Sequence, residues 1–75
     1  MMIVSQDKMA IVNYDNLIIL RIEDTQNGYS IICNASENVE ITLASYDSKD
    51  KARSVLKEMF KRYNDGIRTY EIPLN

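Results

Sequence analysis

One amphipathic helix, and no second one, can be read from this chain. Ala52, Val55, Leu56, Met59, Phe60 and Tyr63 recur at i, i+3, i+4, i+7, i+8 and i+11, which places them on one continuous apolar face. Ser48 or Asp47 stands where a side-chain oxygen caps the first turn, and Asp50 follows where the helix dipole favours an acid. Asn64-Asp65-Gly66 ends the pattern, with Gly66 placed for a left-handed cap. A lone apolar face of this kind has no partner helix and must lie on a sheet. The expectation is therefore an α+β fold.

The residues before the helix supply that sheet. Met2-Ile3-Val4-Ser5 and Met9-Ala10-Ile11-Val12 read as two strands joined by a three-residue loop, Gln6-Asp7-Lys8. Asn13-Tyr14-Asp15-Asn16 is a turn cluster, because Asn and Asp side chains hydrogen-bond their own backbone. Asn27-Gly28 accepts the positive φ angles of a tight hairpin turn and sits between Leu17–Asp24 and Tyr29–Ala35. Val39-Glu40-Ile41-Thr42-Leu43 alternates with the period of a half-buried strand. After the helix, Ile67 to Ile72 alternates weakly and Pro73 stops pairing, which suits a last strand at an edge. Five to six antiparallel strands result, in a meander or a small barrel-like sheet, within a single domain over residues 1–75.

Leu17-Ile18-Ile19-Leu20 offers apolar groups to both faces of its strand, so both faces need cover. A wrapped sheet would supply it, and so would a subunit interface. With 75 residues and one cysteine, the chain buries only about 60% of its unfolded surface and has no internal disulfide to add. Self-association is the expected remedy, so a homo-oligomer is favoured.

The chain has no His and one Cys, which excludes His-dependent triads and His-ligated metals. No metal and no cofactor is expected. No apolar run reaches the ~20 residues of a spanning helix, and no basic start precedes a long apolar stretch, so the expectation is a cytoplasmic protein without a membrane partner. Asp7 with Asp15, or Glu23 with Asp24, pass by residue type for carboxylate pairs, but adjacent strand residues point to opposite faces. Ser5 and Lys8 resemble a nucleophile and its amine only in residue type. Cys33 lies in a strand with no basic neighbour and reads as a small core hydrophobe. The two glycines stand far apart, so no phosphate loop exists. An enzyme is not expected.

Binding is better supported. Residues 1–47 hold seven acids against two bases, a net −5, and residues 48–75 hold four acids against seven bases, a net +3. Lys49, Arg53, Lys57 and Lys61 recur every fourth residue as a slanting basic stripe, suited to phosphates or an acidic partner. A pI of about 4.9 and the lack of a helix-turn-helix pattern argue against sequence-specific duplex DNA. Tyr14, Tyr29 and Tyr70 are the tyrosines left free of the helix, each a ring for stacking and a hydroxyl for hydrogen bonding. Arg68 and Tyr70 share one face of the last strand, a cation beside a ring. Ser5, Gln6, Asp7 and Lys8 form a polar hairpin tip whose side chains are placed to bind a ligand or a neighbouring subunit.

Several of these segments occur together in a recognisable order. Ile3-Val4-Ser5-Gln6-Asp7-Lys8, Ala44-Ser45-Tyr46-Asp47-Ser48, the Ala52, Val55-Leu56 helix start and the closing Tyr70-Glu71-Ile72-Pro73 resemble a family of small uncharacterised proteins in Gram-positive bacteria and their prophages. That family opens with I-x-S-Q-D, carries L-G-x-Y-x-S/T before an A-x-x-V-L helix and closes with Y-E-M-P. The resemblance spans both ends and the helix but hardly the middle strands. Leu43-Ala44-Ser45-Tyr46 lacks the family's glycine, and Ile72 replaces its methionine. It implies a setting, a phage or mobile element, and no reaction.

Two functional expectations follow. The first is a non-enzymatic counter-defence protein that sequesters a small nucleotide immune signal in an oligomer, through Ser5, Gln6, Asp7, Lys8, Arg68 and Tyr70. The second is an interaction module that inhibits a host nuclease or regulator, through Lys49, Arg53, Lys57 and Lys61 or through a sheet edge.

Overall fold

Ser48 starts the helix as its pattern predicts. In a computed structural model covering Met1–Asn75, its hydroxyl accepts from Lys51 N–H at 3.2 Å and opens α1, Lys49–Asn64. Gly66, at φ +75°, closes it: Gly66 N–H donates to Tyr63 O and Ile67 N–H to Arg62 O, satisfying two terminal carbonyls. Ala52, Val55 and Met59 are buried, while Phe60 stays 57% exposed. The apolar face is therefore only part covered.

Six strands accompany the helix, and they form two three-stranded sheets. β1 (Met2–Val4) lies between β2 (Ile11–Asn13) and β6 (Thr69–Glu71); β4 (Gly28–Ser36) lies between β3 (Ile19–Thr25) and β5 (Val39–Tyr46). The α+β class stands. A closed barrel does not form, and the strands do not make one antiparallel meander. Only β3-β4-β5 is a meander; β6 pairs parallel with β1, Ile3 opposite Tyr70. The reason is directional: the helix returns the chain across the molecule, so the last strand arrives running the same way as the first. β6 does lie at an edge, as Pro73 suggests.

Two turns also differ from expectation. The first hairpin loop runs from Ser5 to Ala10, because Val4 pairs with Ile11 and Ser5 N–H donates to Ala10 O. In the second hairpin Thr25 pairs with Gly28, so Gln26-Asn27 is the turn and neither has positive φ. Gly28 is needed for another reason. Its φ is +128°, and an added Cβ would collide with the Tyr46 carbonyl on β5. The turn cluster after β2 behaves as read: Asn13 Oδ1 accepts from Asp15 N–H at 3.1 Å and caps a short 3-10 turn, Tyr14–Asn16.

The core lies between the helix and both sheets. Ile3 and Ile72 enter from the first sheet and the residue after it, Ile31, Cys33, Leu43, Ala44 and Tyr46 from the second, and Ala52, Val55 and Met59 from the helix. Cys33 is fully buried, and burial pushes its thiol pKa up, as suits a packed hydrophobe. The long apolar run resolves unequally. Leu17 and Leu20 pack against this core, but Ile18 and Ile19 are exposed. β3 begins only at Ile19, and Ile18 N–H donates to Asn34 O at its start. Tyr14 is not free: its ring stacks on Tyr63 with centroids 4.5 Å apart.

Gly28→Ala is expected to lower stability by roughly 1–3 kcal/mol, since it adds both a φ penalty and a collision with backbone. Urea denaturation followed by circular dichroism measures this, and an unchanged midpoint would refute the close approach.

Candidate functional site

The hairpin tip that looks like a ligand site is engaged inside the protein. Ser5 is buried, its hydroxyl donating to Asp7 Oδ1 at 2.7 Å and accepting from Ala10 N–H at 3.1 Å. Asp7 Oδ1 also accepts from Met9 N–H at 2.9 Å, and Lys8 takes a left-handed φ of 64° to close the loop. The Ser5 hydroxyl, then the Met9 N–H, hold the Asp7 carboxyl below its ordinary range. Lys8 reaches Glu71 at 3.3 Å, with both side chains largely exposed.

Gln6 has the widest reach of the four. Its backbone N–H donates to Leu43 O at 2.8 Å, and its Oε1 accepts from Ser45 N–H at 2.9 Å. Its Nε2 donates to Pro73 O at 3.4 Å and Leu74 O at 3.1 Å. One side chain thus joins β5 to the tail that follows β6. Tyr46 adds a hydroxyl donated to the same Pro73 O.

Arg68 and Tyr70 do not complete a cluster with that tip. Arg68 O accepts from Met2 N–H at the opposite end of β6, and the Arg68 side chain is exposed without a hydrogen bond. Tyr70 is half-buried, and burial first, then nearby Glu58, push its phenol pKa up against the opposing effect of Arg62. Three strand residues separate Arg68 from the tip, about 10 Å. The six side chains do not converge on one ligand.

The helix stripe is divided. Lys61 pairs with Asp65 at 3.1 Å, and beside it Arg62 pairs with Glu58 at 2.7 Å. Lys57 and Lys61 lie on an open surface among Asp50, Arg53, Ser54 and Glu58. Lys49 instead overlooks the sheet, and Arg53 borders both surfaces. With Ile22, Asp24 and Tyr29 they line a groove of about 330 Å³ between β3-β4 and the first half of α1. None of Lys49, Arg53 and Lys57 has an acid within ion-pair distance. A second groove of about 280 Å³ continues along the same shelf, lined by Tyr14, Leu20, Leu56, Lys57 and Phe60. The first groove offers cations, a phenol and one carboxylate; the second offers apolar rings. Phosphate with a ribose or base suits the former, and a flat ring suits the latter.

Ile22, Asp24 and Tyr29 complete a site that the sequence reading only half recognises, through Lys49 and Arg53. The available signal is the hairpin register. With the turn at Gln26-Asn27, Asp24 falls opposite Tyr29, and both share a face with Ile22 and Ile31. Placing the turn at Asn27-Gly28 keeps the faces but shifts every pair by two residues. No group of three or more His, Cys, Asp or Glu side chains is arranged to hold a metal ion, and no helix is long and apolar enough to cross a membrane. Comparison with protein-family models, with curated proteins and with solved structures returns no match.

Gln6→Ala leaves backbone groups of Leu74 and Ser45 without partners and is expected to cost on the order of 2 kcal/mol in urea denaturation. Gln6→Glu keeps an acceptor for Ser45 N–H but cannot donate to the two tail carbonyls and sets a carboxylate against them, so it is expected to destabilise as well. Wild-type stability of Gln6→Glu would refute the donor role. Acid provides a separate check. Asp7 is held low as described, and Asp15 is held low by the Tyr63 hydroxyl and then the N-terminal ammonium. Folding weakens proton binding at both, so their stabilisation is complete above about pH 4 and disappears as pH falls through their lowered values. Thermal melts from neutral pH downwards should show this loss, and Asp7→Asn with Asp15→Asn should flatten it.

Proposed function

We propose that this is a non-enzymatic binding protein of phage or mobile-element type that works in the host cytoplasm, holding a small nucleotide-type immune signal away from its receptor. The observation that carries the reading is the groove in which Lys49 and Arg53 flank Tyr29 with no acid paired to either cation. Two unpaired cations supply charge-assisted hydrogen bonds to a phosphate, the phenol offers a face and a hydroxyl, and Asp24 accepts from a ribose hydroxyl or base amine. A bound signal needs no turnover to be neutralised, so a chain without an activated nucleophile suffices. The phage setting rests on the resemblance of its two ends and helix.

A second reading has its own support. Arg53, Lys57 and Lys61 form an exposed basic surface, and β3 leaves a sheet edge open, so an acidic host nuclease or regulator is the alternative partner.

Calorimetry against cyclic nucleotides and ADP-ribose derivatives separates these readings. Binding of at least one is expected, weakened tenfold or more by Lys49→Glu or Arg53→Glu and unchanged by Lys61→Glu, with the ligand recovered intact. Absence of heat with every nucleotide would overturn sequestration. Capture of a host protein that Lys57→Glu with Lys61→Glu abolishes would favour the alternative, and altered ligand would mark an enzyme.

A further inference from the structure

We propose that a second copy of this chain pairs with the first along β3, antiparallel and centred on Ile22, and that the pairing closes the open shelf into two composite ligand clefts. The inference rests on the nucleotide-type reading of the Lys49–Arg53 groove and says how that groove is completed.

The edge itself comes first. In the second sheet the outer backbone of β5 is engaged by Gln6 in its second half, at Leu43 O and Ser45 N–H, whereas β3 is the terminal strand on the other side and has no such contact. β3 is seven residues long and pairs with β4 without a register break, while the terminal strands of the first sheet, β2 and β6, have three residues each. It carries no Pro and no Lys, and of its three charged residues Arg21 and Glu23 have opposite signs, so they can answer one another across an edge. The Thr25–Gly28 pair closes a two-residue turn, so by alternation Glu23, Arg21 and Ile19 bond to β4. Leu20, Ile22 and Asp24 therefore aim their N–H and C=O groups away from the sheet.

Charge then selects the register. A two-fold antiparallel pair centred on Arg21 or Glu23 sets that charge against its own copy, which leaves the residues with outward backbone groups as centres. Centring on Asp24 sets Asp24 against its own copy, and centring on Leu20 sets Arg21 against Ile19. Centring on Ile22 sets Arg21 opposite Glu23 of the second copy, twice, on the face away from the helix. Arg21 already bonds Glu23 at 3.2 Å and Glu40 at 2.9 Å within its own chain, so its guanidinium is oriented among acids on that face. The Ile22 register is the one that extends this pattern across the edge.

The helix-side face shows what pairing builds. α1 packs on β4 and β5, which leaves Leu20 and Ile22 of β3 half-covered as the outer shelf. Two such shelves side by side separate the helices by several strand spacings and leave a trough roughly 5–10 Å wide between them. The antiparallel order brings Asp24 of one copy beside Leu20 of the other. The polar groove with Lys49 and Arg53 is thereby continued by the second copy's apolar groove, with Phe60 at its wall. In the closed cleft an anion sits on the cations of one chain and a flat ring on the aromatics of its mate, so each cleft draws its two ends from different chains. The like-charged helices facing across the trough also predict that an anionic ligand tightens the dimer.

Native mass spectrometry of the full chain, with and without nucleotide, tests the assembly. A species at twice 8.7 kDa is expected. Glu23→Arg should make it monomeric, and Arg21→Glu with Glu23→Arg should restore the dimer. Ile22→Cys should cross-link to itself on mild oxidation, because the central pair lies within disulfide reach at about 5.5 Å. In calorimetry, Phe60→Ala should weaken nucleotide binding about tenfold, and should have no effect in the Glu23→Arg background. A chain that stays monomeric while binding nucleotide at Lys49 and Arg53 overturns this proposal and leaves the preceding reading intact. A dimer that is indifferent to Glu23→Arg, and that the Ile22→Cys variant fails to cross-link, overturns it as well. A dimer that passes both tests and binds no nucleotide overturns the clefts and the preceding reading together.

Discussion

The two sheets of this protein are joined by the amide of Gln6. No backbone ladder runs from β2-β1-β6 into β3-β4-β5. In place of a ladder, Gln6 inserts its own N–H and its side-chain oxygen at Leu43 and Ser45 of β5, and its amide nitrogen donates to Pro73 and Leu74. Glutamine suits the place because one side chain must both accept and donate, which neither an ionised Glu nor Lys can do. The neighbouring turn is built to hold it there: Ser5 is buried, bound to Asp7 and Ala10, and Asp7 in turn binds Met9 N–H. A core shared by both sheets then becomes possible, with Ile3 and Ile72 meeting Leu43, Tyr46 and the helix.

That joint changes the meaning of the sequence pattern that draws the eye. Ser5-Gln6-Asp7, Ser45-Tyr46 and Tyr70-Glu71-Ile72-Pro73 are far apart along the chain, yet their hydrogen bonds meet at one corner. Ser48 beside them caps the helix. Residues of this kind are set by architecture, and their polarity is answered within the molecule. The grooves lie elsewhere, on the β3 shelf under α1, in the middle strands that the resemblance hardly touches.

The helix and its two ends are legible because their signals are local: a period, a cap oxygen three residues from its donor, a glycine past the end. How much of the apolar face is covered is not legible, since Phe60 stays exposed. The six strands are legible as apolar segments, though their bounds move. What escapes the pattern is everything that depends on distant partners. The direction of β6 follows from where the helix delivers the chain, and Ile67 to Ile72 carries no trace of it. Asn27-Gly28 is a strong hairpin signal, but the glycine answers a close approach by Tyr46 O, contributed by a strand nearly twenty residues on, and the turn shifts accordingly. Gln6 reads as a free polar side chain because its four partners lie 37 to 68 residues away. Within the groove, Lys49 and Arg53 are visible as a charge spacing, whereas Tyr29 and Asp24 need the pairing register.

Local stability also bears on which residues of the stripe carry function. Lys49 occupies the first helical position, where unsatisfied N–H groups carry partial positive charge and an acid is favoured by about 0.3–1 kcal/mol. A cation there works against the helix it begins. Lys61 shows the opposite case, a base in the last turn paired with Asp65, which stabilises the helix and has an ordinary structural role. The division of charge between an acidic strand half and a basic helical half therefore has two components. Its C-terminal part serves the helix. Its N-terminal part, Lys49 against the dipole with Arg53 a turn later, has no acidic partner and faces a groove with a tyrosine in it. An added anion would relieve that unfavourable arrangement at the helix N-terminus, which is the physical reason to look for the ligand there and not at the hairpin tip.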